Sequence, residues 1–330
     1  MKTPFKLIVL FLLISNMAVA QQTNAEFPKL TGSYLGQTPP GMIPELFAPG
    51  IVSTKAYEHG SPIFSKDLTE IYWTTNVDNE GKFDTRLTYM MKFEDGVWTS
   101  PEVPEVLKDF AFVDYPFITP NGTKFFFSAS KKMKPQINEP EPEKVDIYFA
   151  ERMNGEWSEP VCLDTTINLT KANVSGPTVS ENGNLYFTIY SYVDTSTRGM
   201  FYSEYINDKY AGPKKMGAEF SKSSSDYTPY VAPDESYLIF SSRRAGSLGM
   251  GDLYISFKKD DGSWGEAINM GNEINTERNE RFPNLSPDGK YLFFNSSRTI
   301  SGADENGPGN GTGDVYWISA KVIEKLRPKK

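Results

Sequence analysis

Residues 284–298 read NLSPDGKYLFFNSSR. Pro287-Asp288-Gly289 is a turn, since Pro presets φ, Asp bonds its own backbone and Gly accepts φ > 0. Tyr291 to Asn295 is a short aromatic run without polar alternation, the pattern of a strand buried on both faces. Pro283 stands just ahead of a first short strand. The same order of Pro, apolar residues, turn and aromatic or β-branched run begins at Pro62, Pro116, Pro177 and Pro229. The five prolines are spaced 54, 61, 52 and 54 residues apart. A period of this size with strand-like content is the mark of a repeat architecture.

Each unit divides into four strands. In the fourth, Tyr230 to Ala232 is the first strand and Tyr237 to Ser241 the second. A Gly-rich loop, Arg243 to Gly251, leads to a third strand from Asp252 to Phe257. Asp260-Asp261-Gly262 is a hairpin turn, and Trp264 opens an outer strand. Asp95-Gly96, Asn154-Gly155 and Asn207-Asp208 make the matching turn elsewhere, and Trp98, Trp157 and Tyr210 open the matching outer strands. The fifth unit lacks an outer strand after Ser319. Residues 41–50 stand where that strand belongs relative to the next unit. Pairing them with residues 314–319 closes a ring and removes two open sheet edges. The expected fold is therefore all-β, a five-bladed β-propeller of four-stranded antiparallel blades sealed by the N-terminal segment. A sixth blade requires a second-strand run within residues 24–58, and none is present.

The chain divides into a signal peptide (1–20), an N-terminal extension (21–40), the propeller (41–320) and a tail (321–330). Lys2 and Lys6, the apolar run Leu7 to Ile14 and Ala18-Val19-Ala20 make the signal peptide, with cleavage expected after Ala20 and a periplasmic or secreted product. Gln21, not a cysteine, follows that cut. The chain carries a net charge of −8, which argues against nucleic acid as a partner. It is 14% aromatic and 38% hydrophobic, as a β-rich core requires. Cys162 is the one cysteine, so no internal disulfide is expected, and a buried apolar role is expected for it. A monomer is expected.

Alternating strand direction puts the tight turns at one end of the ring. The long second-to-third loops lie at the other: 75–86, 129–145, 191–199, 243–251 and 297–313. Binding residues favour irregular loops on a rigid scaffold, so the long-loop face is expected to carry any site. Residues entering the first strands converge there: Glu58, His59, Asp114, Tyr115, Asn173, Asp226, Tyr227, Glu280 and Arg281. Arg243 and Arg298 follow second strands in matching Ser-Ser-Arg contexts. These residues form either a ligand-recognising mouth or a set of inter-blade ion pairs, with the arginines serving acids such as Asp252 or Asp314. Asp114 and Glu280 are expected at the surface. Asp114, Asp226 and Glu280 could make a glycosidase carboxylate pair. His59, the one histidine, disfavours His-rich zinc sites. No cofactor is expected. Calcium in the loop from Asp304 to Asp314 is a weaker expectation. Glu139 to Glu143 reads as a solvated loop tip.

The segments 230–243 (YVAPDESYLIFSSR) and 284–298, each followed by Gly-Asp-[Leu/Val]-Tyr at 251–254 and 313–316, resemble TolB-type WD-like β-propeller repeats. The likeness extends over 41–320 and is looser in the first and third units. It implies an exported bacterial propeller of the periplasm that binds other envelope proteins. The two functions expected are thus recognition of an envelope protein or peptide and, as the alternative, a glycoside hydrolase-like enzyme or glycan-binding protein.

Overall fold

The computed structural model describes residues 27–78, 84–131, 144–220 and 226–329. Residues 1–20, expected to be a signal peptide, and residues 139–143 lie outside these. Five small antiparallel sheets form the blades of a propeller. Blade 1 comprises Ile63–Phe64, Glu70–Asp78, Asp84–Glu94 and Val97–Trp98. Blade 2 comprises Phe112–Ile118, Lys124–Ser130, Asp146–Met153 and Val161–Cys162, with Glu156–Trp157 added at its edge. Blade 3 comprises Ala172–Val179, Leu185–Ser191, Gly199–Ser203 and Lys214–Lys215. Blade 4 comprises Tyr227–Val231, Tyr237–Ser242, Asp252–Phe257 and Ile268–Asn269. Blade 5 comprises Glu280–Leu285, Tyr291–Ser296 and Asp314–Ser319, and Glu45–Leu46 is its fourth strand.

The ring closes as the sequence indicates. Glu45 pairs with Trp317 and Leu46 with Tyr316, antiparallel. Phe47 N–H then donates to Val315 O at 2.8 Å. The seam is held by rings: Phe47, fully buried, meets Phe293 and Trp317 edge-on, each at 5.1 Å between centroids. The second strands are buried on both faces because each blade is sandwiched between two neighbours. Tyr72, Phe126, Phe187, Ile239 and Phe293 are all at most 1% exposed.

The repeated turn has a chemical reason. Ser286 Oγ accepts from the amides of Lys290 and Tyr291, and donates to Asp288 Oδ1 at 2.7 Å. Ser65 with Asp67, and Thr119 with Asn121, do the same in blades 1 and 2. Asn207-Asp208 adopts the paired positive φ of a two-residue hairpin turn. Outer strands pair a few residues beyond the aromatic that opens them, as at Val161–Cys162 and Ile268–Asn269. Cys162 therefore lies on an exposed edge strand rather than in the core. An edge residue with a small apolar side chain has no facing sheet to bury it.

Four first strands carry a bulge where they reach the axis, at Tyr115, Gly176, Thr228 and Phe282, each with positive φ and each just before a proline. In blade 1, Gly60 has φ 135° two residues before Pro62. These five positions, with Pro116, Pro177, Pro229 and Pro283, line an axial hollow of about 40 Å³. That is room for about one water, so this level of the axis offers little space for a ligand. None of the described helices is long and apolar enough to cross a membrane.

Candidate functional site at the long-loop mouth

Strand register sorts the residues that converge on this mouth into two sets. His59, Asp114, Ser175, Tyr227 and Arg281 occupy equivalent places, each beside a polar residue of the second strand: Thr74, Ser128, Thr188, Ser241 and Asn295. They form a ring one step above the axial constriction. Glu58, Asp226 and Glu280 precede their ring residues by one position. Side chains alternate along a strand, so these three turn away from the axis into their blades.

The ring is tightly packed on one side. His59 Nδ1 lies 3.0 Å from Asp114 Oδ1 and 2.9 Å from Oδ2. Asp114 is fully buried, not at the surface, and accepts from Arg86 Nη1 at 2.7 Å and from the Tyr115 amide at 3.0 Å. A carboxylate only accepts, so Nδ1 carries the proton of the histidine. The His59 ring packs against Phe282 at 4.6 Å and against Tyr57 and Tyr115 at 5.5 Å each. Burial pushes its pKa down, against the pull of Asp114. Among the described residues Asp114 is the one hydrogen-bond partner of the His59 ring. Beside it, the Arg281 guanidinium donates to Tyr57 Oη and stacks on the same Tyr57 and Phe282, 5.4 and 5.0 Å from the ring centres.

The three inward-turned acids are structural hubs. Asp226 accepts from Ser242 Oγ and from Arg244 Nη2 at 2.9 Å. Glu280 Oε1 accepts from Ser296 Oγ at 2.6 Å and Thr276 Oγ1 at 2.7 Å, with Arg298 Nη2 at 3.6 Å. Arg244 and Arg298 each bond the serine two residues back through Nε and stack on Tyr254 and Tyr316 at 4.9 and 4.8 Å. The true counterpart of Arg298 is thus Arg244, not Arg243. The apparent Ser-Ser-Arg match is offset by one residue: strand pairing aligns Ser242 with Ser296, because each lies opposite an aspartate, Asp252 or Asp314. Nor do these arginines serve Asp252 or Asp314. Asp252 is bonded by the Leu248 and Gly249 amides and Asn269 instead. Glu280, like Asp114, is fully buried rather than surface-exposed.

Glu58 repeats the Glu280 arrangement without its cation. Thr54 caps Glu58 as Thr276 caps Glu280, through amide and hydroxyl. The places of Ser296 and Arg298 are taken in blade 1 by Thr75 and Val77. Glu58 Oε2 is left buried without a partner. Burial pushes the Glu58 pKa up to about 8, with Asp314 adding to the rise. Asp314 itself is raised to about 6 by burial. Among the described residues no group of three or more His, Cys, Asp or Glu could hold a metal, and Asp304 and Glu305 stand exposed in the loop before Asp314.

Asp114, Asp226 and Glu280 therefore do not share an open pocket. Asn173, two residues before Ser175 and paired with Tyr190, accepts at Oδ1 from the Val145 amide at 2.9 Å. Tyr57, Arg86 and Tyr190 belong to the mouth and were not apparent from the repeat pattern, since they precede a first strand or end a middle strand. The Thr-x-x-x-Glu spacing shared by 54–58 and 276–280 was a legible sign of the capped acids. Around the mouth, the long loops and the middle-strand ends before them expose Tyr190, Tyr192, Val193, Leu248, Met250 and Ile300, each at least 40% accessible. The opposite face holds hollows of about 280 and 360 Å³ among the tight turns, lined by Lys66, Pro120, Glu181 and Pro233 and by Lys124, Tyr205 and Tyr210.

No protein family matches the chain, and no curated protein matches it. Similar solved structures include TolB from Acinetobacter baumannii, at 15% identity over 79% of this chain and 56% of that one, with a TM-score of 0.45. The match thus spans little more than half of that TolB chain. A protein of unknown function from Dyadobacter fermentans is 14% identical over 78% of this chain and 80% of that one, TM-score 0.49. A GH43 endo-arabinanase from Bacillus licheniformis is 13% identical over 78% and 92%, TM-score 0.46.

Proposed function

We propose that this protein is an exported β-propeller binding module whose long-loop face recognises a protein or peptide of the bacterial envelope. The observation that carries the reading is the contrast at that face. The acids named at the mouth, Asp114, Asp226 and Glu280, are buried and already engaged by Arg86, Arg244 and Arg298. The loops of blades 3, 4 and 5 meanwhile expose Tyr192, Val193, Leu248, Met250 and Ile300. Clustered exposed apolar side chains rimmed by polar ones are a feature of protein-binding surfaces. The rim is also held in place. Met250 N–H donates to Arg278 O at 2.6 Å, and a Cβ on Gly249 would come within 2.2 Å of that oxygen, so only glycine fits.

The test is selection of displayed random peptides on the mature protein and on a Leu248→Asp/Met250→Asp variant. The reading expects peptides enriched on the first and lost on the second. Equal enrichment on both, or no enrichment together with binding or cleavage on a glycan array, overturns it in favour of the carbohydrate alternative. Export is checked separately: N-terminal sequencing of the protein recovered from the cell envelope should begin at Gln21. An N-terminus at Met1 would contradict it.

A further inference from the structure

The chain has nine arginines. Six lie within 4.0 Å of a carboxylate: Arg86, Arg152, Arg244, Arg278, Arg298 and Arg327. Among the described residues the other three, Arg198, Arg243 and Arg281, have no such partner. All three gather at one place. Arg198 ends the long loop of blade 3, where its Nε donates to Ser191 O at 3.0 Å. Arg243 begins the long loop of blade 4 and is exposed. Arg281 belongs to the axial ring. Their common neighbour is Tyr190: burial pushes its phenol up to about 12, while Arg243, Arg198 and Arg281 each act to lower it.

This clustering runs against the charge of the molecule, which is −8. Cations that lack a counter-ion among the described residues at a mouth built on a rigid scaffold are arranged for an anion from outside. Arg281 is the best placed of them. Its plane is held between Tyr57 and Phe282, and its Nε–H is buried without an acceptor. A guanidinium fixed in this way offers a planar fork that suits a carboxylate. The ring acid that could have neutralised it, Asp114, is taken by Arg86 and His59.

We infer that the mouth receives the side-chain carboxylates of an acidic peptide segment through Arg281, with Arg243 and Arg198 at the rim. This rests on the peptide docking proposed above and names its chemistry. A peptide is favoured over an acidic sugar because the rim beside the arginines is apolar, with Val193, Leu248 and Met250 exposed.

The probe is fluorescein-labelled decaglutamate, titrated against the mature protein by anisotropy, with decaglutamine and oligogalacturonate run alongside. Saturable binding of decaglutamate alone is expected. It should weaken at least about tenfold as salt rises from roughly 0.05 to 0.5 M, since exposed charges are screened over that range. An Arg243→Gln/Arg281→Gln variant with an unchanged circular dichroism spectrum should lose the binding. Absent binding, equal binding by the variant, or equal binding of decaglutamine overturns the inference. Tighter binding of oligogalacturonate overturns the choice of a peptide. The Leu248→Asp/Met250→Asp selection leaves the arginines untouched, so docking and acid recognition fail separately.

Discussion

Glu58 and Glu280 share a strand position and a threonine cap, and differ in what lies beyond. Glu280 has Arg298 and Ser296, whereas Glu58 Oε2 has no partner. A folded pKa of about 8, against about 4.5 for an ordinary glutamate, means the folded state holds the proton more tightly. The resulting stability is complete below about pH 4.5 and is lost as pH rises through 8, a span worth on the order of 4–5 kcal/mol. Glu58→Gln should therefore raise the melting temperature at pH 8.5 and change it little at pH 5. An equal shift at both pH values would contradict this. The Asp226–Arg244 pair calls for the opposite experiment. Both side chains are buried, so Arg244→Ala strips a buried carboxylate of its cation and should cost about 3 kcal/mol in urea unfolding. Arg243→Ala, exposed, should change stability by less than about 0.5 kcal/mol. Reversed magnitudes would restore Arg243 as the counterpart of Arg298. This pair marks the limit of what was readable. The Ser-Arg motif was visible in one dimension, but which arginine of Arg243-Arg244 it contained was set by strand register, and register depends on partners far along the chain.

The strands were legible because each apolar run and each turn obeys local chemistry. Ser286 with Asp288 and Thr119 with Asn121 show the same side-chain bridge in different residues. The axial bulges were not legible. Tyr115, Thr228 and Phe282 take positive φ although side chains of those shapes disfavour it, at about 1–3 kcal/mol each. Crowding of five strands at one axis imposes this, and no local pattern announces it. The burial of Asp114 and Glu280 also escaped sequence reading, since Arg86 comes from the third strand of blade 1 and Arg298 from the loop after Ser296. Closure of the ring was predictable from a missing strand at one end and a spare one at the other. Its energetics rest on Phe47, which packs on Phe64, Phe293 and Trp317. Phe47→Ala should cost about 3–5 kcal/mol in chemical unfolding. It should also increase aggregation by light scattering, because the blade 5 edge then loses its cover. A cost below about 1 kcal/mol would show that the seam does not depend on this ring.

At the scale of the whole molecule, two faces compete for the function. The hollow at the axis between them is small, about 40 Å³. The tight-turn face offers hollows lined by repeat turns. The long-loop face offers exposed apolar residues, Tyr190 and the three arginines that have no carboxylate partner among the described residues. The loops that build it were located from sequence by strand alternation alone. Which of the acids near the first strands turn into the blades was not legible there, and Asp114, Asp226 and Glu280 are all buried. The central claim is that binding occurs on the long-loop face. Hydrogen–deuterium exchange of the mature protein, with and without its tightest selected peptide, tests this most directly. Protection is predicted in residues 190–199, 243–251 and 297–313. Protection confined to the turns near residues 66, 121, 182 and 288 would contradict the account.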